Sequence, residues 1–415
     1  MTLLLGVLGL IACRSPEEAR PPGPENSQED DRPADWWKGE SGWCGAPLTA
    51  EHLDQAIALG RDHLVHNQLP EGNFVYEYDW RTERTTRGDS EVRQAGAFWG
   101  LSLVHLERPT DETRAALQKA VHFWRSHEVK HEDGRRWLHY PTSRSGHLGT
   151  LSLVALAHVE LLRSGDPAFD AAALKAALDG YLAQMIWLQR DDGLFHVDFR
   201  LEDGQGYGEP SPYADGEALL AMARIARHLG RDDLWPRVEL SAIAGWTFNV
   251  EKALKADPDS DTTKGYYQWG SMAWHELVQS GRPRSAMWGD RLIDLAVWMI
   301  DTHATLKRSR NTAYAYEGIV PAYAVARERE DPRAEKLGCV VQLGLRKLAS
   351  WQIGHPLANA YVAVAPANDP RALGGVQNKD DESLLRIDVV QHQTHANLLA
   401  RRLWAEPPPA TLTER

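Results

Sequence analysis

The sequence predicts an all-α domain in which six helix pairs close into a ring, and three observations carry that expectation. From residue 47 onward one unit recurs: a long amphipathic helix, a linker that often alternates like a hairpin, then a second helix richer in small residues. A single pair of this kind cannot bury its apolar face, so the pairs must stack. An open stack needs polar capping repeats at its ends, and neither end offers one. The last helix (LRIDVVQHQTHANLLARRLW) is as apolar-faced as any other.

The first helix of each pair is expected over 49–67, 110–127, 167–190, 231–253, 284–306 and 332–353. Thr110, Asp166 before Pro167, and Asp331 before Pro332 mark three of these starts, as side-chain acceptors or as a proline at the first helical position. The second helices are expected over 90–107, 146–163, 213–229, 264–280, 312–330 and 386–404. Gly165, Gly230 and Gly281 stop three of them. Between partners, Gly72–Trp80, Val129–Tyr140 and Gly193–Leu201 carry the turn residues or the alternation of short hairpins.

Ahead of the helices, Leu3 to Ala12 (LLLGVLGLIA) is an apolar run too short to span a membrane as a stable helix. It ends in Leu10-Ile11-Ala12-Cys13, which resembles the bacterial lipobox. That resemblance implies a lipoprotein signal peptide over 1–13, lipid on Cys13 as a membrane anchor and, with Arg14 next, an outer-membrane location. The two-residue lead, Met1-Thr2, departs from the pattern in carrying no Lys or Arg. The plain alternative is an uncleaved buried strand or helix. Residues 14–46, rich in Pro, Glu, Asp and Ser, read as a tether, with Trp36, Trp37 and Trp43 docking its end onto the domain. The domain then runs over 47–405, followed by a disordered tail at 406–415. Export permits a Cys44–Cys339 bridge, but two cysteines this far apart make no framework, and the sequence leaves open whether they pair.

Composition narrows the function classes. A hydrophobic fraction of 43% and a charged fraction of 25% are ordinary for a globular chain. No interior apolar run reaches the ~18 residues of a membrane span. A net charge of −12 argues against nucleic acid, which is held through its phosphates. There is no GxSxG, P-loop or HExxH, and no GxGxxG after a strand, so no nucleotide, nicotinamide or other cofactor is expected.

Six such pairs resemble the six-hairpin (α/α)6 toroid, in which the second helix of each pair lines the centre. That group includes six-hairpin glycosidases, unsaturated glucuronyl hydrolases, N-acylglucosamine 2-epimerases and the helical domain of glucuronyl C5-epimerases. The resemblance covers roughly residues 47–405 and rests on architecture rather than on one diagnostic motif. It implies a mouth built from the N-terminal ends of the inner helices and the loops leading into them.

Polar and aromatic residues collect at all six of those positions. Asp89, Asp215 and Thr312 serve either as helix caps or as functional groups. Arg93 lies in a small-residue helix and needs a carboxylate or an anionic ligand, with Glu217 or Glu317 as the expected partner, since Glu91 is on another face. Asp388, His392 and His395 share one helical face. They read as an acid-oriented histidine for proton transfer, as a hydrogen-bonded stripe between helices, or as a zinc site. Tyr76, Tyr78, Tyr213, Tyr266, Tyr316 and Trp269 offer flat rings for stacking on sugars. Of the 16 tryptophans only Trp269 falls at the mouth; others, such as Trp124 and Trp187, read as packing.

Two classes of function follow. The first is a carbohydrate-active enzyme, monomeric, acting on an oligo- or polysaccharide. As a glycosidase it would use Asp215, Glu217 and Glu317 as acid and base with His392 assisting. As a uronate epimerase or lyase it would use Arg93, His147 and His392 with Tyr76 or Tyr316. The second class is a lipid-tethered glycan-binding protein without catalysis.

Overall fold

The structure, a computed structural model, describes residues 44–366 and 368–405. Cys13, the tether up to residue 43 with Trp36, Trp37 and Trp43, and the tail 406–415 lie outside the described residues. The helices are α1 (Ala50–His66), α2 (Glu91–Glu107), α3 (Asp111–Ser126), α4 (Leu148–Ser164), α5 (Ala171–Leu188), α6 (Pro212–His228), α7 (Trp235–Gly245), α8 (Ala253–Ala256), α9 (Asp261–Gln279), α10 (Ser285–Asp301), α11 (Ala313–Glu328), α12 (Ala334–Ala349) and α13 (Ile387–Leu403). None of them is long and apolar enough to cross a membrane.

The inner helices close a ring. α2 packs on α4, α4 on α6, α6 on α9, α9 on α11, α11 on α13, and α13 returns to α2. The first-of-pair helices lie outside, with α5 on α4, α7 on α6, α10 in the groove between α9 and α11, α12 on α11, and α1 chiefly on α13. The inner helices are buried all round, as the Ala- and Gly-rich runs of α2 and α4 require, and the outer ones keep one polar face. Below, at the C-terminal ends of α4, α6 and α9, a buried cluster ties neighbours together. Arg224 bridges Glu160 and Glu276, and Arg227 adds a second contact to Glu276.

The ends of the elements refine the expected signals. Thr110 forms a reciprocal capping box with Thr113, as its sequence position predicts. Asp166 does not cap α5, because its carboxylate takes the Arg114 guanidinium and the Ala168 N–H, leaving Asp170 as the cap. Asp331 likewise accepts from the backbone and side chain of Arg333, one turn before α12 settles. The expected helix over 231–253 is divided: a 3-10 turn, Asp232–Leu234, precedes α7, and a π-helical stretch, Trp246–Lys252, joins it to α8.

Short strands dress the mouth. β1 (Glu77–Asp79) pairs antiparallel with β2 (Arg84–Thr85) and with β8 (Leu384–Arg386), Tyr78 opposite Leu385, so the linkers of the first and last helix pairs are joined. β3 (Glu128–Lys130) and β4 (Arg136–Leu138) form the expected hairpin. The region 193–201 is not a hairpin. Its strand β6 (Asp198–Phe199) is the middle of a sheet between β5 (Gly146–His147) and β7 (Gly206–Tyr207).

The two cysteines are bonded. Cys44 and Cys339 form a disulfide with Cα atoms 5.0 Å apart, a pairing the sequence left open. Sequence separation hid the pairing: ring closure brings residue 44 beside α12. Gln342 and Arg346, further along that helix, approach the backbone carbonyls of residues 44–47.

Candidate active site

Ring closure sets which side chains meet. α2 lies opposite α9, and α6 lies opposite α13. Trp99 of α2 and Trp269 of α9 meet across the ring with centroids 5.9 Å apart, so the two indoles close the centre from opposite sides. His395 meets the edge of Trp99 at 4.8 Å, and His392 meets Trp269 at 5.9 Å. Gly216 makes room for this floor, since a Cβ there would lie 2.5 Å from that of Trp269.

On α13 and α11, His392 and His395 converge on one carboxylate. Glu317 is fully buried and accepts from His392 Nδ1 at Oε2 and from His395 Nδ1 at Oε1, each at 2.9 Å. Burial opposes charge on Glu317, but the two histidines hold it ionised, below the usual carboxylate range. Burial also opposes charge on His392, yet Glu317 and then Asp388 raise it. The pairing therefore favours the imidazolium form of His392, backed by the Glu317 carboxylate.

Glu217 is the contrasting group. It is buried on α6, and among the described residues no hydrogen bond or charge offsets its desolvation, which pushes its carboxyl up to about 8. Its carboxyl lies over the backbone of α4 at Gly149, where a Cβ would approach Oε2 to 2.3 Å. The environments of Glu217 and Glu317 thus drive two carboxyls of one site in opposite directions.

At the rim, Arg93 finds its partner in Asp388 at 3.3 Å, rather than in Glu217 or Glu317 as expected. Arg386 holds the same carboxylate through two contacts, at 3.0 and 2.6 Å. Arg93 also donates to the Tyr76 hydroxyl. His147 is clamped between Glu91 at 3.0 Å and Asp198 at 2.6 Å. Burial would lower it, but the two carboxylates raise it to about 10. Arg93, Arg386 and His147 are therefore each matched by carboxylate, which offsets the positive charge these residues bring to the rim.

Several expected site residues lie elsewhere. Asp215 is a brace: its Oδ1 accepts the Phe195 N–H and its Oδ2 accepts Asn249 Nδ2, both at 3.1 Å. Asp89 takes Gln94, the Ser90 N–H and the Tyr140 hydroxyl, and Thr312 makes no capping bond. Tyr78 points into a satellite core with Trp80, Ile353 and Leu385 and donates to Asp369. Tyr266 is packed against Gly245 and Gly270, and Tyr316 against Gly344, both fully buried and away from the mouth. Tyr213 stays at the mouth, 52% exposed. Trp187, read as packing, is 54% exposed with the Arg135 guanidinium over its ring. The zinc option fails on donors, because Asp388 turns to the arginines while both histidines turn to Glu317. Among the described residues no cluster of His, Cys, Asp and Glu is placed to hold a metal.

Sequence reasoning missed Trp99, Gly149, Arg386 and Asp198. Trp99 had a signal, as the one large indole in the run AGAFWGL; the others acquire a role only through ring closure.

Solved structures share this architecture. A sugar epimerase from a ruminal bacterium superposes with a TM-score of 0.59 at 11% identity, covering 85% of this chain and 99% of that one. A D-mannose isomerase gives 0.60 at 12% identity over 86% and 99%. Cellobiose 2-epimerase from Spirochaeta thermophila DSM 6192 gives 0.56 at 16% over 84% and 96%. The fold is the six-hairpin (α/α)6 toroid. No protein-family profile and no curated protein matches the chain.

Proposed function

We propose that the protein is a sugar-processing enzyme that moves a proton at a carbon next to a carbonyl, as in epimerisation or aldose–ketose isomerisation. One observation carries this: an unpartnered, desolvated carboxyl, Glu217, lies on the helix diametrically opposite a carboxylate-backed imidazolium, His392. When ionised, a desolvated carboxylate is a strong base for a C–H proton. His392 donates to the oxygen on which negative charge develops, and Glu317 holds it charged and oriented. The proton passes from carbon to Glu217 Oε, the carbonyl oxygen receives one from His392, and return to either carbon or either face gives the isomeric sugar.

A glycosidase needs a second, ionised carboxylate free to activate water or attack. Glu317 is held by two histidines and Asp388 by two arginines, so the toroid's centre favours proton transfer over hydrolysis. Pairing of the rim cations favours a neutral sugar over a uronate. The Trp99–Trp269 floor and Tyr213 supply apolar faces for its ring. The sugar epimerases and the isomerase that share the fold point the same way. The Leu10–Cys13 sequence and the Cys44–Cys339 disulfide support export and a lipid anchor, since structural disulfides persist in oxidising compartments.

The test is proton exchange. Incubated in D2O with neutral aldoses, ketoses and disaccharides, the protein should place solvent deuterium on the carbon beside the carbonyl of one of them, read by NMR. Glu217→Gln should lose at least ~100-fold of that rate. Release of free sugar without exchange would make it a hydrolase; binding with neither would make it a glycan-binding protein.

A further inference from the structure

At the mouth, outside the groups described so far, three segments bring together an aspartate, a histidine and a tyrosine. Asp259 lies in the turn before α9, His303 in the loop after α10, and Tyr314 in the first turn of α11. His303 is buried. Its Nδ1 is 2.6 Å from Asp259 Oδ1 and its Nε2 is 3.3 Å from the Tyr314 hydroxyl. Nδ1 faces both the Asp259 carboxylate and, at 3.0 Å, Arg308 Nη2; the shorter contact to the carboxylate favours the proton on Nδ1, which leaves Nε2 to accept the phenol's. Arg308 donates to Asp259 Oδ2 at 3.1 Å and to the His303 carbonyl at 2.9 Å. The Trp298 indole stacks on the imidazole at 5.6 Å. Tyr314 lies one turn above Glu317 on α11, at a spacing that places both on neighbouring lines of one helical face, and it is half-buried at the rim.

We propose that Asp259, His303 and Tyr314 form a proton relay that opens the sugar ring before the carbon-bound proton is moved. The inference rests on the reading above, because a pyranose hides its carbonyl as a hemiacetal and a base acting beside a carbonyl needs the open form. In the step, the anomeric O–H gives its proton to Tyr314 Oη while the phenol's own proton passes to His303 Nε2. The C1–O5 bond breaks, its electron pair goes to O5, and C1=O forms. O5 takes a proton from a water at the mouth, leaving a hydroxide that recovers the proton from O5 on ring closure. His303 leaves the step as an imidazolium paired with Asp259 and returns its proton on ring closure. The groups facing His303 favour the neutral starting form. Burial, Arg308 and Lys264 lower it, and Asp259 only partly offsets them.

Anomer exchange tests the relay separately from epimerisation. The rate of α/β interconversion of the processed sugar, measured by exchange NMR, should exceed the buffer rate with wild type. Tyr314→Phe and His303→Gln should each lower it at least ~100-fold, with an unchanged circular dichroism spectrum. Asp259→Asn should lower it less and move its acid limb, because His303 must be neutral to accept. Acceleration by Tyr314→Phe equal to wild type would overturn the relay, as would wild-type deuterium exchange at carbon without faster anomer exchange. Faster anomer exchange without deuterium at carbon would leave the relay standing and overturn the epimerase reading.

Discussion

The Phe195 N–H donates to Asp215 Oδ1 at 3.1 Å, and twenty residues likewise separate Phe74 from Gln94, whose Oε1 accepts the Phe74 N–H at 2.8 Å. Both bonds tie the linker of a pair to the first turns of its inner helix, and Gln94 does this without ionising. Asp215 is thus a brace, and burial raises its carboxyl to about 7. The folded protein keeps this proton where the unfolded chain has lost it, so stability is full below pH ~4 and falls as pH rises through ~7. Asp215→Asn removes that loss, with Asn249 turning its amide to offer oxygen. Thermal unfolding from pH 4 to 8 should show a flatter stability profile for the variant, with deuterium exchange at carbon within about threefold of wild type.

Gly149 decides where Glu217 stands. A methyl group there meets Oε2 at 2.3 Å, and the carboxyl must swing away from its place over α4. Misplacement of a reacting group by about 1 Å costs ~100-fold, so Gly149→Ala should lose roughly that much kcat. The pH profile gives the sign. With Glu217 raised to about 8 and acting as base, kcat/KM in wild type rises from pH 6 toward 8. In Gly149→Ala a better-solvated carboxyl ionises earlier, and the rising limb moves to lower pH. A wild-type rate that falls between 6 and 8 would assign Glu217 the opposite role, proton donor.

Glu317 serves two histidines with two oxygens, and an amide has only one. Glu317→Gln leaves the N–H of either His392 or His395 facing an NH2 group and removes the charge that raises His392. NMR titration of the His392 ring should show its midpoint moved down. The alkaline limb of activity should move with it, and the loss of rate should be ~100-fold or more. Leaving a buried donor unpaired costs about 1–3 kcal/mol, so the variant should also unfold at a lower temperature than wild type.

How much of this was legible in the sequence depends on what each feature needs. Helix pairs come from local periodicity, and closure followed from the missing polar caps; both read directly. Glu217, Glu317 and His392 were legible as polar residues on inner helices whose remaining positions are small and apolar. Their states were not. Glu217 is free and Glu317 is held because of which neighbours the ring brings to each, and Arg93 meets Asp388 only because α13 returns to α2. The tyrosines misled for the same reason. Tyr266 and Tyr316 lie near the starts of inner helices, where a mouth residue belongs, but Tyr266 points into a gap left by Gly245 and by Gly270 of its own helix, and Tyr316 into one left by Gly344 of α12. Helical phase alone does not tell the lumen from the seam between helices.

The Cys44–Cys339 bond fixes the start of the described chain to α12 across a sequence separation of 295 residues. Cross-linking so long a loop restricts the unfolded chain strongly, and native disulfides of this kind stabilise by about 2–4 kcal/mol. Cys339 lies on an outer helix, remote from Glu217 and His392, so the bond should bear on stability and leave chemistry alone. Reductant should lower the melting temperature of wild type. The Cys44→Ser, Cys339→Ser double variant should melt at that lower temperature with or without reductant, and its rate of deuterium exchange at carbon should equal that of wild type at 25 °C. Labelling of unfolded protein with a thiol reagent settles the pairing independently. Two more thiols after reduction than before it are the expected result, and equal numbers before and after would show that the bond does not form.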